Sequence, residues 1–304
     1  MKKLIWPLLM MSSVSIAAPY KIVMMTDSGA KDRADEFKKY LLTKPPFNKL
    51  DPKELEFKIV TLSQNELNCG NRNKKSPRVI NCDDKKLNTI KAKEEADLAM
   101  VFTSAATGAS GGDIPKASKT SDVAAMMHEM LHTFGCADEY EYSANEAEVY
   151  CSPTRPAPNI AFFKDRPPYK SDSEARTRHA KDVPWMGRID RVRYITQGSQ
   201  LGSSAKSSGE GNQVISLYRG GSCNKVIPTW RPYPNSIMKG YTDQTIYPFY
   251  EEIIVKGMES QLGRKLKFKK VDKPSPVEIP ADCPPEIVQE NIQDFSKIMR
   301  RLAQ

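Results

Sequence analysis

Residues 128–140 read HEMLHTFGCADEY and hold two of the chain's three histidines. Side chains four apart on a helix share a face. A helix through this stretch therefore brings the imidazoles of His128 and His132 together, with Glu129 one position along. No other feature constrains the fold as strongly, because the same helix must turn its remaining surface into a core. Val123, Met127, Met130, Leu131 and Phe134 supply that apolar side. Ser121 or Asp122 can cap the start, and the helix is expected to run to about Phe134, with Gly135 as its stop.

Two imidazoles so arranged can bind one zinc ion. A glutamate beside the open coordination position can take a proton from water and pass it to a leaving amine. This is H-E-x-x-H in a helical setting, a string that chance supplies in roughly a few chains per thousand of this length. A catalytic zinc keeps three protein ligands and one open position, so a third ligand must follow. Gly135 can take up left-handed backbone and turn the chain back under the metal. Three residues further on is Asp138, a carboxylate of the kind zinc accepts. Glu139 is the adjacent competitor.

The rest of the chain sets the context. Its 304 residues suffice for one large domain or two small ones. Lys2, Lys3, an apolar run over 4–11 and Ser15-Ile16-Ala17 read as a secretory leader over 1–17. The run is too short to span a bilayer and Pro7 interrupts it; no later stretch is long enough either. The mature protein is expected outside the cytoplasm, secreted or periplasmic. Six cysteines fit that destination: Cys69, Cys82, Cys136, Cys151, Cys223 and Cys283. Cys69 with Cys82 is the simplest pair, and Cys136 is expected in a disulfide with Cys151 or Cys223. The net charge is +9, and loss of Lys2 and Lys3 lowers it by two, to +7. The basic residues are dispersed, without the basic face and interleaved aromatics of a nucleic-acid binder. A monomer acting on a protein or peptide substrate is expected.

Strands are expected over 20–29, 55–63 and 96–104, with a helix after the first that Pro45-Pro46 stops. This order suggests a small mixed α/β sheet. The Gly- and Ser-rich stretch 105–122 lacks the ending of a phosphate loop and reads as a loop or irregular edge strand before the His128 helix. From about 140 to 250 the chain reads as mostly irregular. A terminal amphipathic helix carrying Val288, Ile292, Phe295, Met299 and Leu302 is expected to dock on the domain. His179 lies in a polar stretch and is expected at the surface. Core packing explains Trp185 and Trp230 as well as a place beside a cleft does. The domain plan is a catalytic domain over 18–250 and an extension over 251–304.

The string H-E-x-x-H-x-x-G-x-x-D resembles the extended signature of the metzincin metallopeptidases, with Asp138 in place of the usual third histidine. The resemblance implies a methionine turn under the metal. Ser236-Ile237-Met238, within YPNSIMKGY, is similar to it, and Met238 would serve as a soft apolar floor and not as a ligand. Some members use a tyrosine two residues past that methionine to stabilise the oxyanion. Here Tyr241 is three past it, and Tyr140 is the other phenol candidate. HTFGCADEY, IVMMTDSG and SGGD, with VPW, GEG and WRP further on, resemble the IgA-peptidase family of zinc metallopeptidases over roughly 20–250. The first turn, Thr26-Asp27-Ser28-Gly29, departs from that family's G-D-G-Y-like form. The implied architecture is a metzincin-like mixed β-sheet above the cleft and an irregular lower part carrying the methionine turn. The antibody-cleaving activity does not carry over, since one fold supports many specificities.

The expectation is an exported zinc endopeptidase, with the ion on His128, His132 and Asp138 and with Glu129 as general base. Two rivals are kept: a zinc hydrolase of envelope peptides such as peptidoglycan stems, and a non-catalytic, metal-stabilised binding protein. Glu129 counts against the second, because a pure scaffold has no need of that carboxylate.

Overall fold

A computed structural model describes residues 18–72, 79–151, 156–163, 172–189, 215–241 and 243–269. The leader expected over 1–17, the G-E-G stretch at 209–211, Cys283 and the terminal amphipathic helix lie outside the described residues.

The chain enters as β1 (Tyr20–Asp27), whose side chains are buried except for Lys21. A near-continuous apolar run is what a parallel strand covered on both faces requires. Helix α1 (Lys31–Leu41) follows and buries Ala34, Phe37 and Leu41. Next come β2 (Leu55–Leu62), α2 (Gln64–Leu67), α3 (Asp84–Lys93) and β3 (Leu98–Thr103), the last buried throughout. The stretch 105–122 forms two short strands, β4 (Ala109–Ser110) and β5 (Lys116–Ser118), and leads into α4 (Val123–Thr133). The five strands order as β2-β1-β3-β5-β4. All neighbours run parallel except β4, which pairs antiparallel to β5 at the sheet edge.

Alternation along β1 divides the core. Ile22 and Met24 join Phe37, Phe102, Met126 and Met130 on the side of α1 and α4. Val23 and Met25 join Leu67, Leu87 and Val101 on the side of α2 and α3. The class is mixed α/β, as the order of apolar runs predicts.

After α4 the elements are short: α5 (Ala144–Tyr150), β6 (Ala161–Phe162), α6 (Asp172–His179), β7 (Tyr218–Arg219) and β8 (Thr229–Arg231). Strands β6, β8 and β7 form a small antiparallel sheet. Helix α7 (Pro248–Leu262) starts on a proline at its first turn and sends Tyr250, Ile254 and Met258 into the main core. The compact unit that contains it closes at Phe268. Of the second unit, Lys269–Gln304, only Lys269 is among the described residues.

Among the described residues two disulfides are present, Cys69–Cys82 and Cys151–Cys223. The first is the expected pair. The second corrects the expectation for Cys136, which is buried and carries no disulfide. Cys151 and Cys223 meet because α5 delivers one and the loop after β7 the other, a neighbourhood set by tertiary packing. His179 is also corrected. It is 1% exposed and stacks on Phe163, with ring centroids 4.0 Å apart. Phe163 stacks in turn on Trp230 at 4.9 Å, so Trp230, like the fully buried Trp185, is core. Two disulfides suggest an oxidising environment, extracellular or periplasmic. Among the described residues no helix is long and apolar enough to cross a membrane.

Candidate metal centre

Helix α4 is capped by Asp122, whose carboxylate accepts from Ala124 N at 2.8 Å, and it ends before Gly135 at φ +88°. Its residues from Ala124 to Leu131 are all buried, so the two histidines issue from a rigid element. His128 Nδ1–H donates to the Ile237 carbonyl at 2.8 Å, and His132 Nδ1–H donates to the Cys136 carbonyl at 2.8 Å. A carbonyl only accepts, so each neutral ring carries its proton on Nδ1 and leaves Nε2 with a lone pair. Both lone pairs meet the same carboxylate oxygen. Asp138 Oδ1 stands 2.8 Å from His128 Nε2 and 3.4 Å from His132 Nε2. Asp138 Oδ2 accepts from the Tyr142 hydroxyl at 2.7 Å.

Glu129 Oε2 is 3.7 Å from His132 Nε2. Ligand atoms of His128, Glu129 and His132 all lie within 4.8 Å of one another, so this group could hold a metal ion. The electrostatics favour a cation. Burial alone would lower the His132 imidazole, but Asp138 and Glu129 outweigh it and lift it to about 9. Burial alone would raise Asp138, but His128 and His132 hold it well below the usual carboxylate range.

Of the two adjacent carboxylates, only Asp138 reaches the histidines. Glu139 is 1% exposed and turned the other way. Its Oε1 accepts from Asn159 Nδ2 at 2.9 Å and from the Tyr250 hydroxyl, and its Oε2 accepts from Ser236 Oγ at 2.6 Å. Burial pushes this carboxyl up, and the three donors and Arg231 work against that rise.

Ser236-Ile237-Met238 is a tight turn, with Lys239 N and Gly240 N both donating to Ser236 O. Met238 is fully buried in the main core, and its carbonyl accepts from Glu139 N at 2.8 Å. Both phenol candidates lie against His128. Tyr241 meets it edge-on at 5.7 Å and is 41% exposed, and Tyr140 stacks at 6.1 Å. Gly111, just past edge strand β4, crosses so close that a Cβ there would lie 2.7 Å from His132 Cδ2 and 3.2 Å from Glu129 Oε2. A cavity of about 980 Å³ opens here, lined among others by Gly111, Glu129, His132, Asp138, Tyr140 and Tyr150.

The sequence reading missed Tyr142, Asn159, Ser222 and Tyr250, whose roles rest on contacts across the chain. For Gly111, the S-G-G-D string before the helix was a usable signal, since adjacent glycines mark close backbone approach. No protein-family model and no curated protein matches the chain.

Proposed function

We propose that the protein is an exported zinc-dependent endopeptidase of metzincin type, most like the IgA-peptidase family. The observation that carries the reading is the meeting of three ligand atoms, with Asp138 Oδ1 2.8 Å from His128 Nε2 and 3.4 Å from His132 Nε2. Acceptors so placed repel unless a proton or a metal cation lies between them. Donors of a four-coordinate zinc lie about 3.3 Å from one another, near the 3.4 Å between His132 and Asp138, whereas the 2.8 Å between His128 and Asp138 is a hydrogen-bond distance that would widen around an ion. Two imidazoles and one carboxylate are a donor set that suits zinc. The turn at Ser236–Met238 fits the methionine turn, because it supplies the carbonyl that fixes the His128 tautomer.

Zinc held by His128, His132 and Asp138 would supply the Lewis acidity that polarises a scissile carbonyl and acidifies a water. The chain's own residues do the rest. Glu129 accepts the proton of the attacking water and hands it to the leaving amine. Its burial at 5% exposure, against His132, keeps the carboxylate aimed and shielded from bulk solvent. Tyr142 restrains Asp138 and so fixes the ligand oxygen. Tyr241 lies against His128 at the solvent margin and is the better placed of the two phenols to donate to a developing oxyanion. Gly111 lets the backbone beside β4 pass next to His132 and Glu129.

The test is chelation and restoration on a panel of denatured proteins, glycoproteins and peptidoglycan peptides. Cleavage abolished by chelator and restored by stoichiometric zinc is the expected result. Turnover that survives complete zinc removal contradicts it.

A further inference from the structure

The carboxylate of Glu139 has no place in the chemistry above, yet it is among the most heavily engaged groups in the molecule. It is buried and receives three hydrogen bonds from three separate segments: Asn159 ahead of β6, Ser236 in the turn, and Tyr250 on α7. Its own backbone N–H donates to Met238 O at 2.8 Å. Each partner leads to a different part of the metal site. Asn159 also clamps Ala137, accepting from its N–H and donating to its carbonyl at 2.8 Å each, which fixes the residue before Asp138. Ser236 Oγ accepts from Met238 N at 3.2 Å, which holds the turn whose Ile237 carbonyl receives His128 Nδ1–H. One carboxylate thus spans the segment carrying the third ligand and the segment that sets the tautomer of the first.

A buried carboxylate costs stability unless its acceptors are filled. A glutamate kept only for packing would be replaceable by an apolar side chain of similar volume. Here the donors converge on it from three elements that are distant in sequence, so its removal takes an acceptor from Asn159, Ser236 and Tyr250 together.

We propose that Glu139 is a positioning residue for the metal: it locks Asp138 and the Ile237 carbonyl into one rigid frame, and so sets the affinity of the site for zinc. This rests on the zinc reading above. Outer partners that orient ligands typically contribute 10–100-fold in metal affinity.

The test compares the full-length mature protein with Glu139→Gln, and with Tyr250→Phe, which keeps the ring and removes one donor. Zinc affinity is read by chelator competition, the visible spectrum of the cobalt(II)-substituted protein reports ligand geometry, and melting of the metal-free protein reports fold. For Glu139→Gln the expected result is a loss of zinc affinity of about ten-fold or more, with an altered cobalt spectrum. For Tyr250→Phe it is a smaller loss in the same direction; should Glu139→Gln not fold, that variant decides alone. A metal-free melting temperature that falls while zinc affinity and cobalt spectrum stay those of the wild type would overturn the proposal and leave the zinc reading standing. A folded wild type that binds no zinc would remove both.

Discussion

At the scale of single residues, the centre depends on which atoms are left without protons. His128 and His132 each spend Nδ1–H on a backbone carbonyl, and that choice aims both Nε2 atoms at Asp138. The histidines and Glu129 were legible in the sequence because i, i+4 spacing is a property of the helix alone. Asp138 against Glu139 was not legible, because both are carboxylates one residue apart and only long-range partners separate them. Tyr142 was invisible for the same reason; its hydroxyl reaches Asp138 Oδ2 only once the loop folds back. Replacing it by Phe keeps the ring and deletes a hydrogen bond to a charged acceptor, which contributes about 1.5–3 kcal/mol. Tyr142→Phe is therefore expected to lower the melting temperature by a few degrees and to weaken zinc binding about ten-fold or more, read by chelator competition. Unchanged zinc affinity would separate Tyr142 from the centre.

At the scale of elements, β1, α1, β2, β3 and α4 were legible because each carries a period or a continuous apolar run. Helix α7 was not expected. Its apolar residues lie around much of its circumference, and Gly257 interrupts the pattern, so no clean stripe marks it in the sequence. The joint between β1 and β3 also escaped notice. Asp27, 1% exposed at the end of β1, accepts from Gly29 N, Thr103 Oγ1, Ser104 N and Ser104 Oγ at 2.7–2.9 Å. Burial would raise this carboxyl, but the donors from Ser104, Thr103 and Gly29 outweigh it and hold it below its ordinary value. A carboxyl depressed in the folded state stabilises fully above its unfolded pKa of about 3.9. That contribution is lost as pH falls through the lower folded value. Asp27→Asn leaves part of this donor set unmatched and is expected to cost about 1–3 kcal/mol at pH 7. The gap between wild type and variant should narrow when denaturation is repeated below pH 4. A gap that widens in acid would show that the charge of Asp27 is not what the four donors hold.

At the scale of the whole molecule, the two disulfides do different work. Cys69–Cys82 closes a separation of 13 residues beside α2 and α3. Cys151–Cys223 closes one of 72 and braces the loop that carries Asp138, because Ser222 N donates to Asp138 O at 3.3 Å and Tyr142 N donates to Ser222 O at 3.0 Å. Loop entropy alone predicts losses of about 3 kcal/mol for the short bridge and roughly 4 kcal/mol for the long one when each pair is changed to alanine. Only loss of the long bridge is expected to weaken zinc binding as well, as measured by denaturation and chelator competition on both double variants. Equal zinc affinity in the two would mean that the loop needs no brace. Pairing of this kind was only half legible: a short polar loop announces its own bridge, whereas Cys151 and Cys223 are 72 residues apart and are neighbours only through tertiary packing.

The central claim is that Glu129 does chemistry at a metal held by its neighbours. The most direct measurement is turnover on a cleaved substrate by purified wild type and Glu129→Ala, with the zinc content of both determined. The account predicts about one zinc per chain in each protein, and turnover in the wild type alone. Equal turnover by two zinc-loaded proteins would contradict it, and so would a correctly folded wild type without zinc.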